Sequence, residues 1–177
     1  MQLHIGKTRI TVQEGDIVEQ NVEAIAIAAN DRLWMGGKVA EAIKRKAGED
    51  IETEAMKQGP AATGQVVITS GGEMTNLKHI FHIVIMGQDL RPTDETIRQG
   101  TRNLLTRAEE LGIKSIAIPA FGTGVGKFPI EGAAKAIVDQ MIDVLLEFKN
   151  LKDVRIIVHN EGVYRAFVEE FERRFSK

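Results

Sequence analysis

Residues 24–43 read AIAIAANDRLWMGGKVAEAI, and the change of period inside this run decides the fold. Ala24-Ile25-Ala26-Ile27-Ala28 is apolar at every position, as a strand covered on both faces must be. From about Val39 to Ala47 the spacing turns helical and stops at Gly48. Between them, Ala29-Asn30 and then Trp34-Met35-Gly36-Gly37-Lys38 form a glycine turn that delivers the strand into a helix N-terminus.

Working outward, the same alternation of elements continues. Val66-Val67-Ile68, Ile80 to Ile85, Ile116-Ala117-Ile118 and Val154 to Val158 are short, largely β-branched runs, expected with Ala24–Ala28 at the centre of a sheet. Leu3 to Val12 alternates polar with apolar residues, which suits an edge hairpin or edge strand. Ile97, Leu104, Leu105, Ala108 and Leu111 share one face of a helix capped at Thr93 or Asp94 and stopped by Gly112. Ala134, Ile137, Val138, Met141, Leu145 and Phe148 share a face of the next. A helix from about Glu49 ends near Gly59-Pro60, and a last one runs from about Tyr164 to Phe175. No linker or repeat divides the chain, so one domain over 1–177 is expected. Right-handed crossovers then place helices on both faces of a mostly parallel sheet. Ligands in such sheets bind at the carboxyl ends of the strands.

Composition narrows the function. The 177 residues are 43% hydrophobic, enough for one core, and 23 basic against 25 acidic residues give a net charge of -2 without long runs of either sign. That is no footprint for a phosphate backbone, so nucleic acid is not an expected partner. The absence of cysteine removes disulfides, thiol nucleophiles and thiolate metal sites. No apolar stretch approaches the ~20 residues needed to span a bilayer, and the first ten residues are not a signal peptide. The expectation is a cytoplasmic protein without membrane attachment.

A second strand-to-helix turn resembles the first. Ile116-Ala117-Ile118 runs through Pro119-Ala120-Phe121 into Gly122-Thr123-Gly124-Val125-Gly126-Lys127-Phe128-Pro129 and then into a helix. Glycines there let backbone amides approach an oxyanion, and the helix start adds a favourable dipole. Two such loops could clamp a diphosphate, or each could simply make a tight turn. Neither is a Walker A loop, since Phe121 stands where its first glycine belongs and Phe128 where Ser or Thr belongs. The dinucleotide fingerprint fails as well, with Lys127 in place of its third glycine.

With these loops the chain resembles the macro domain family. Gly15-Asp16-Ile17, then Ala24 to Asn30, then Gly36-Gly37-Lys38-Val39-Ala40-Glu41-Ala42-Ile43, is similar to the family's opening in order and spacing. Gly64 with the strand Gln65 to Thr69, the strand around His82, and Ser115 to Ala120 followed by Gly122-Thr123-Gly124-Val125 are similar too, so the likeness runs from about Ile10 to Phe171. The resemblance implies an α/β fold: a three-layer α/β/α domain with a central mixed, mostly parallel sheet. It also implies a site for ADP-ribose, free or protein-linked. Asp16 would accept from the adenine amino group, with the backbone of Ile17 beside it, and Asn30 would meet the ribose distal to adenine. Gly36, Gly37, Lys38 and Val39 would line one side of the diphosphate, and Gly122, Thr123, Gly124, Val125 and Gly126 the other. His159, followed by Asn160, takes the place of the aromatic against which the base lies. No cofactor and no metal are implied.

The chain departs from the pattern at four places. Ile27 replaces the first asparagine of the strand end, and Lys38 the third glycine of the first loop. Ala40 stands where hydrolysing members carry aspartate, and Gly126 where an aromatic is common, with Phe128 two places later. The resemblance therefore implies binding first. The alternative is a hydrolase of ADP-ribosyl groups or a phosphatase of ADP-ribose 1''-phosphate, without an assignable catalytic residue. A poly(A)-like ligand fits less well, because aromatic platforms are lacking.

Other residues read as structure. His79 and His82 are three apart on a strand and point to opposite faces, which excludes a shared metal. Ser70, Ser115 and Ser176 lie in no nucleophile motif. Trp34, the single tryptophan, either lines the pocket or fills core.

Overall fold

A computed structural model describes residues 1–175. The described elements in chain order are β1 (Gln2–Ile5), β2 (Thr8–Glu14), a 3-10 turn (Ile17–Glu19), β3 (Ala24–Asn30), α1 (Lys38–Ala47), α2 (Asp50–Met56), β4 (Val66–Thr69) and β5 (His79–Met86). They continue with α3 (Asp94–Glu110), β6 (Ser115–Ile118), α4 (Ile130–Leu145), β7 (Asp153–Val158) and α5 (Glu161–Phe175). Among the described residues the seven strands form one mixed sheet in the order β1-β2-β7-β6-β3-β5-β4. The inner pairings are all parallel, and β1 and β4 close the two edges antiparallel. The architecture is the three-layer α/β/α arrangement.

The period of two in β3 divides its side chains between two cores. Ala24 and Ala26 face the layer of α3, α4 and α5, where they meet Phe81, Leu104, Ile137 and Met141. Ile25 and Ile27 face the layer of α1 and α2, with Ile43, Ala47 and Ile51. Small residues on the first face let the larger helices approach closely. At Gly100 of α3 the approach is closer still, since a Cβ there would stand 2.4 Å from Cγ2 of Ile83 and 3.0 Å from that of Ile85. Across this layer Asp139 of α4 is gripped by Arg98 of α3 and Arg174 of α5.

The ends of α3 obey the sequence signals. Thr93 accepts from the amide of Thr96, whose own hydroxyl accepts from the amide of Thr93, a reciprocal capping box. At the other end Gly112, with φ 72°, donates to Glu109 O while Ile113 donates to Ala108 O, the paired bonds of a Schellman ending.

Two expectations are corrected. β4 lies at an edge and not at the centre, and runs antiparallel to β5. The connection over residues 70–78 is too short for the crossover of about a dozen residues that a parallel partner needs. Half-buried Val66 and Ile68 alternate with buried Val67 and Thr69 accordingly. α5 begins at Glu161, one turn before Tyr164, because Asn160 Oδ1 accepts from the amide of Val163 at 3.0 Å and caps the helix.

His82 is fully buried, with Nε2 2.9 Å from the hydroxyl of Thr69 and Nδ1 without a hydrogen-bonding partner. Since that hydroxyl lies 3.2 Å from Ser70 O and donates to it, Nε2–H is the donor to Thr69. A proton added at Nδ1 would find no acceptor. Burial accordingly lowers the His82 pKa to about 4.

Two outcomes are expected. Because the unfolded histidine titrates near 6.5, the unfolded state binds the extra proton first as pH falls. His82 therefore removes stability between pH 6.5 and 4, up to roughly 3 kcal/mol; urea midpoints should show this loss in the parent and a flatter profile in His82→Leu. In Gly100→Ala the overlap with Ile83 should outweigh the gain in helix propensity of ~1 kcal/mol, for a net loss of about 1–2 kcal/mol measured by denaturant unfolding.

Candidate functional site

A cavity of about 490 Å³ opens at the carboxyl ends of β3, β5, β6 and β7. Its cause is topological. After β3 the chain passes to the α1 layer, after β6 to the α4 layer, and these two strands are neighbours in the sheet. The departing segments diverge and leave a crevice between them. The glycine turns form its walls: Gly36 to Ala40 on one side, Ala120 to Gly126 on the other, with Ile157 to Asn160 at the end of β7.

Left-handed backbone shapes both turns, at Gly37 (φ 88°) and Gly122 (φ 87°). They also meet each other. A Cβ on Gly37 would lie 2.6 Å from Cγ2 of Val125, so the two walls touch across the opening. A Cβ on Gly126 would strike the ring of Pro92 at 2.5 Å, whereas one on Gly124 would meet nothing within 4 Å. Gly126 is thus required by packing, and Gly124 leaves room above the loop. Phe128 N–H donates to Gly122 O at 2.8 Å and ties off the second turn.

The polar character of the cavity comes from the backbone. α1 starts behind Gly37 and α4 behind Pro129, and neither has a side-chain cap. Among the described residues the amides of Gly36 to Ala40 and of Gly124 to Gly126 have no acceptor. The donors at the start of α1 carry partial positive charge and favour an anion, and those of Gly124 to Gly126, in the turn ahead of α4, add further free N–H groups. Of the described residues lining the cavity, Lys38 and His159 alone are ionisable, and both are exposed. No carboxylate among the described residues lines it. Thr123 and Asn160 add uncharged polar side chains, and the remaining side chains are apolar, including Ile27, Met86, Phe121, Ile130 and Val163.

Gly36, Gly37, Lys38, Val39, Gly122, Thr123, Gly124, Val125, Gly126, His159 and Asn160 are brought together around this one cavity. Asp16, Ile17, Asn30 and Phe128 lie outside its lining. Asp16 is exposed and accepts from the amide of Val18 at 3.1 Å, next to the end of β7, where Gly15 N–H donates to Val158 O. Ile17 is buried in the α1 layer beside Ile157. Asn30 is buried and engaged at both amide atoms: Nδ2 donates to Trp34 O at 2.9 Å, and Oδ1 accepts from Arg32 N–H and from Gln88 Nε2. The ring of Phe128 lies over Gly132. Trp34 neither lines the cavity nor is fully buried; its ring packs on Gly36 and its Nε1 donates to Gln88 at 3.0 Å.

The apolar lining was not singled out in the sequence. Its signal was available in the carboxyl-terminal residues of the strands, Ile27, Met86 and Ile157, which any ligand at the sheet edge must meet. Other candidate chemistry resolves as structure. Ser70 Oγ donates to Glu54 and Ser115 Oγ accepts from Glu23 N–H, while Ser176 lies outside the described residues. Among the described residues no group of three or more His, Asp or Glu could hold a metal ion.

A Macro domain family model matches residues 26–137, a shorter span than the motifs suggest, so that Asp16, Ile17, His159 and Asn160 fall outside it. A macro domain-containing protein of Caldanaerobacter subterraneus subsp. tengcongensis is 33% identical over 94% of this chain and 97% of its own. A substituted form of the Oceanobacillus iheyensis macrodomain, solved with ADPR, superposes with a TM-score of 0.89 at 28% identity, covering 100% of this chain and 99% of that one. The Trypanosoma brucei macrodomain in complex with ADP-ribose gives 0.81 at 25% identity, over 90% of this chain and 68% of that one. On its matched residues and on the course of its backbone, the chain belongs to the Macro domain family.

Proposed function

We propose that the protein acts as one domain that binds ADP-ribose, free or attached to another protein, in the cytoplasm. The observation that carries this reading is the meeting at one cavity of two glycine turns, the first leading straight into uncapped α1, in which the amides of Gly36 to Ala40 and of Gly124 to Gly126 have no internal acceptor. Such an arrangement suits two linked phosphates better than one, because the two sets of donors stand on opposite walls. Relatives of the same fold, solved with ADPR or ADP-ribose, support the identity of the ligand. In this reading the base lies toward His159 and Asn160, with Asp16 accepting from its amino group. The distal ribose lies toward the end of β3, and Asn30 serves it by shaping the backbone of the first turn.

A second reading, hydrolysis of ADP-ribosyl bonds or of ADP-ribose 1''-phosphate, has less support. A water attacking the anomeric carbon needs a proton acceptor within hydrogen-bonding reach. Ala40, 5% exposed at the first turn of α1, occupies the cavity wall where a carboxylate could serve. Lys38 is exposed and can neutralise phosphate charge, but tighter ground-state binding does not by itself accelerate chemistry.

Calorimetric titration with ADP-ribose, ADP and AMP tests the reading, with ADP-ribose and ADP expected to bind more tightly than AMP. In Gly124→Val the new side chain enters open space, so the fold should persist while ADP-ribose affinity falls by about a hundredfold, the cost of denying amides their acceptor. Unchanged affinity in the folded variant, or equal affinity for AMP, would reduce the loops to turns. Excess protein incubated with an ADP-ribosylated substrate should retain it and release little ADP-ribose by chromatography. Ala40→Asp should raise release at least about tenfold, since a placed general base contributes that much or more.

A further inference from the structure

The first glycine turn is held from outside the cavity by an ion pair. The peptide joining Trp34 to Met35 is gripped at both ends: its carbonyl accepts from Asn30 Nδ2 at 2.9 Å, and its N–H donates to Glu52 Oε2 at 2.6 Å. One residue on, Met35 O accepts from Lys44 Nζ at 3.4 Å, and that ammonium is also 3.4 Å from Glu52 Oε1. Asn30 ends β3, Lys44 belongs to α1 and Glu52 to α2, so three elements converge on the residue before Gly36. The chain enters this grip through Leu33, fully buried at φ 67°, a conformation that a leucine keeps only where its surroundings impose it.

The physical need for the grip lies in the freedom of the glycines next to it. Gly36 and Gly37 impose no conformation of their own, and the amides from Gly36 to Ala40 make no internal hydrogen bond. Their direction is inherited from Met35 on one side and α1 on the other. A hydrogen bond to a carboxylate is shorter and stronger than a neutral one, and this one is three-quarters shielded, with the Glu52 side chain 26% exposed. Ile51 and Ala55 anchor α2 in the core, so Glu52 is fixed independently of the turn it holds.

We infer that Glu52, supported by Lys44, is a positioning residue that aims the amides of the first glycine turn at the diphosphate. It touches no ligand and acts through the backbone of Met35. The inference rests on the ADP-ribose reading for the ligand and on these hydrogen bonds for the positioning.

The parent, Glu52→Ala and Glu52→Gln are compared by titration with ADP-ribose, ADP and AMP, and by backbone amide relaxation of Met35, Gly36 and Gly37 without ligand. Glu52→Ala should lose about tenfold in affinity for ADP-ribose and ADP, as one charge-assisted hydrogen bond implies, and less for AMP, which offers the turn a single phosphate. Glu52→Gln, whose side-chain carbonyl can still accept from Met35, should recover most of that loss. Order at Gly36 and Gly37 should fall in the alanine variant and return in the glutamine one. Equal loss for all three ligands, no loss for any, or unchanged order at the two glycines overturns the positioning role. Should the parent not prefer the two diphosphates, the ligand reading falls, and the relaxation still decides whether Glu52 orders the turn.

Discussion

The parallel pairing of β3 with β6 is the constraint on which the cavity depends. Both strands are buried on both faces, so neither can end against solvent without the chain turning onto a helix layer. They turn to opposite layers. Ile25 and Ile27 commit β3 to the α1 side, while α4 packs over Ala24 and Ala26 on the other. No single helix can then cover the gap between the two strand ends, and the glycine turns that begin α1 and α4 become its walls. Burial of the strands and the existence of the cavity are one arrangement seen from two ends.

The features legible in the sequence were those that local chemistry decides. The apolar run at 24–28, the period of α3 with its Thr93 cap and Gly112 stop, and the two glycine turns each carry their own signal, and each stands where expected. The edge position of β4 had no such signal, because Val66-Val67-Ile68 is as apolar as a central strand. The length of its connection to β5 was the better guide. Asn160 was read only for the site, and its second task as the cap of α5 was missed for lack of a helix boundary to attach it to.

The interior roles of polar side chains were the least legible. Asn30 reads as a strand-end residue free to meet a ligand, but in the fold its amide is committed to Trp34, Arg32 and Gln88. Glu52 and Lys44 carry no sequence signal of a role at the turn, and only the folded backbone brings them to Met35. These are hydrogen bonds to main chain across turns, set by tertiary approach and not by spacing. The same holds for Gly126, which unlike Gly124 faces Pro92 and the carbonyl of Gly122.

In the ADP-ribose reading the cavity attracts its anion chiefly with amide dipoles and not with a field of surface charge, and this bears on kinetics and on solution conditions. Dipoles act at contact and fade within a turn of helix, so a protein of net charge -2 offers an approaching dianion no long-range guidance. Association should proceed at the unsteered rate, and with few side-chain charges at the site the equilibrium should shift little with ionic strength. Tight binding in such a site has to come from slow departure, which places its selectivity in residence time and not in the speed of encounter.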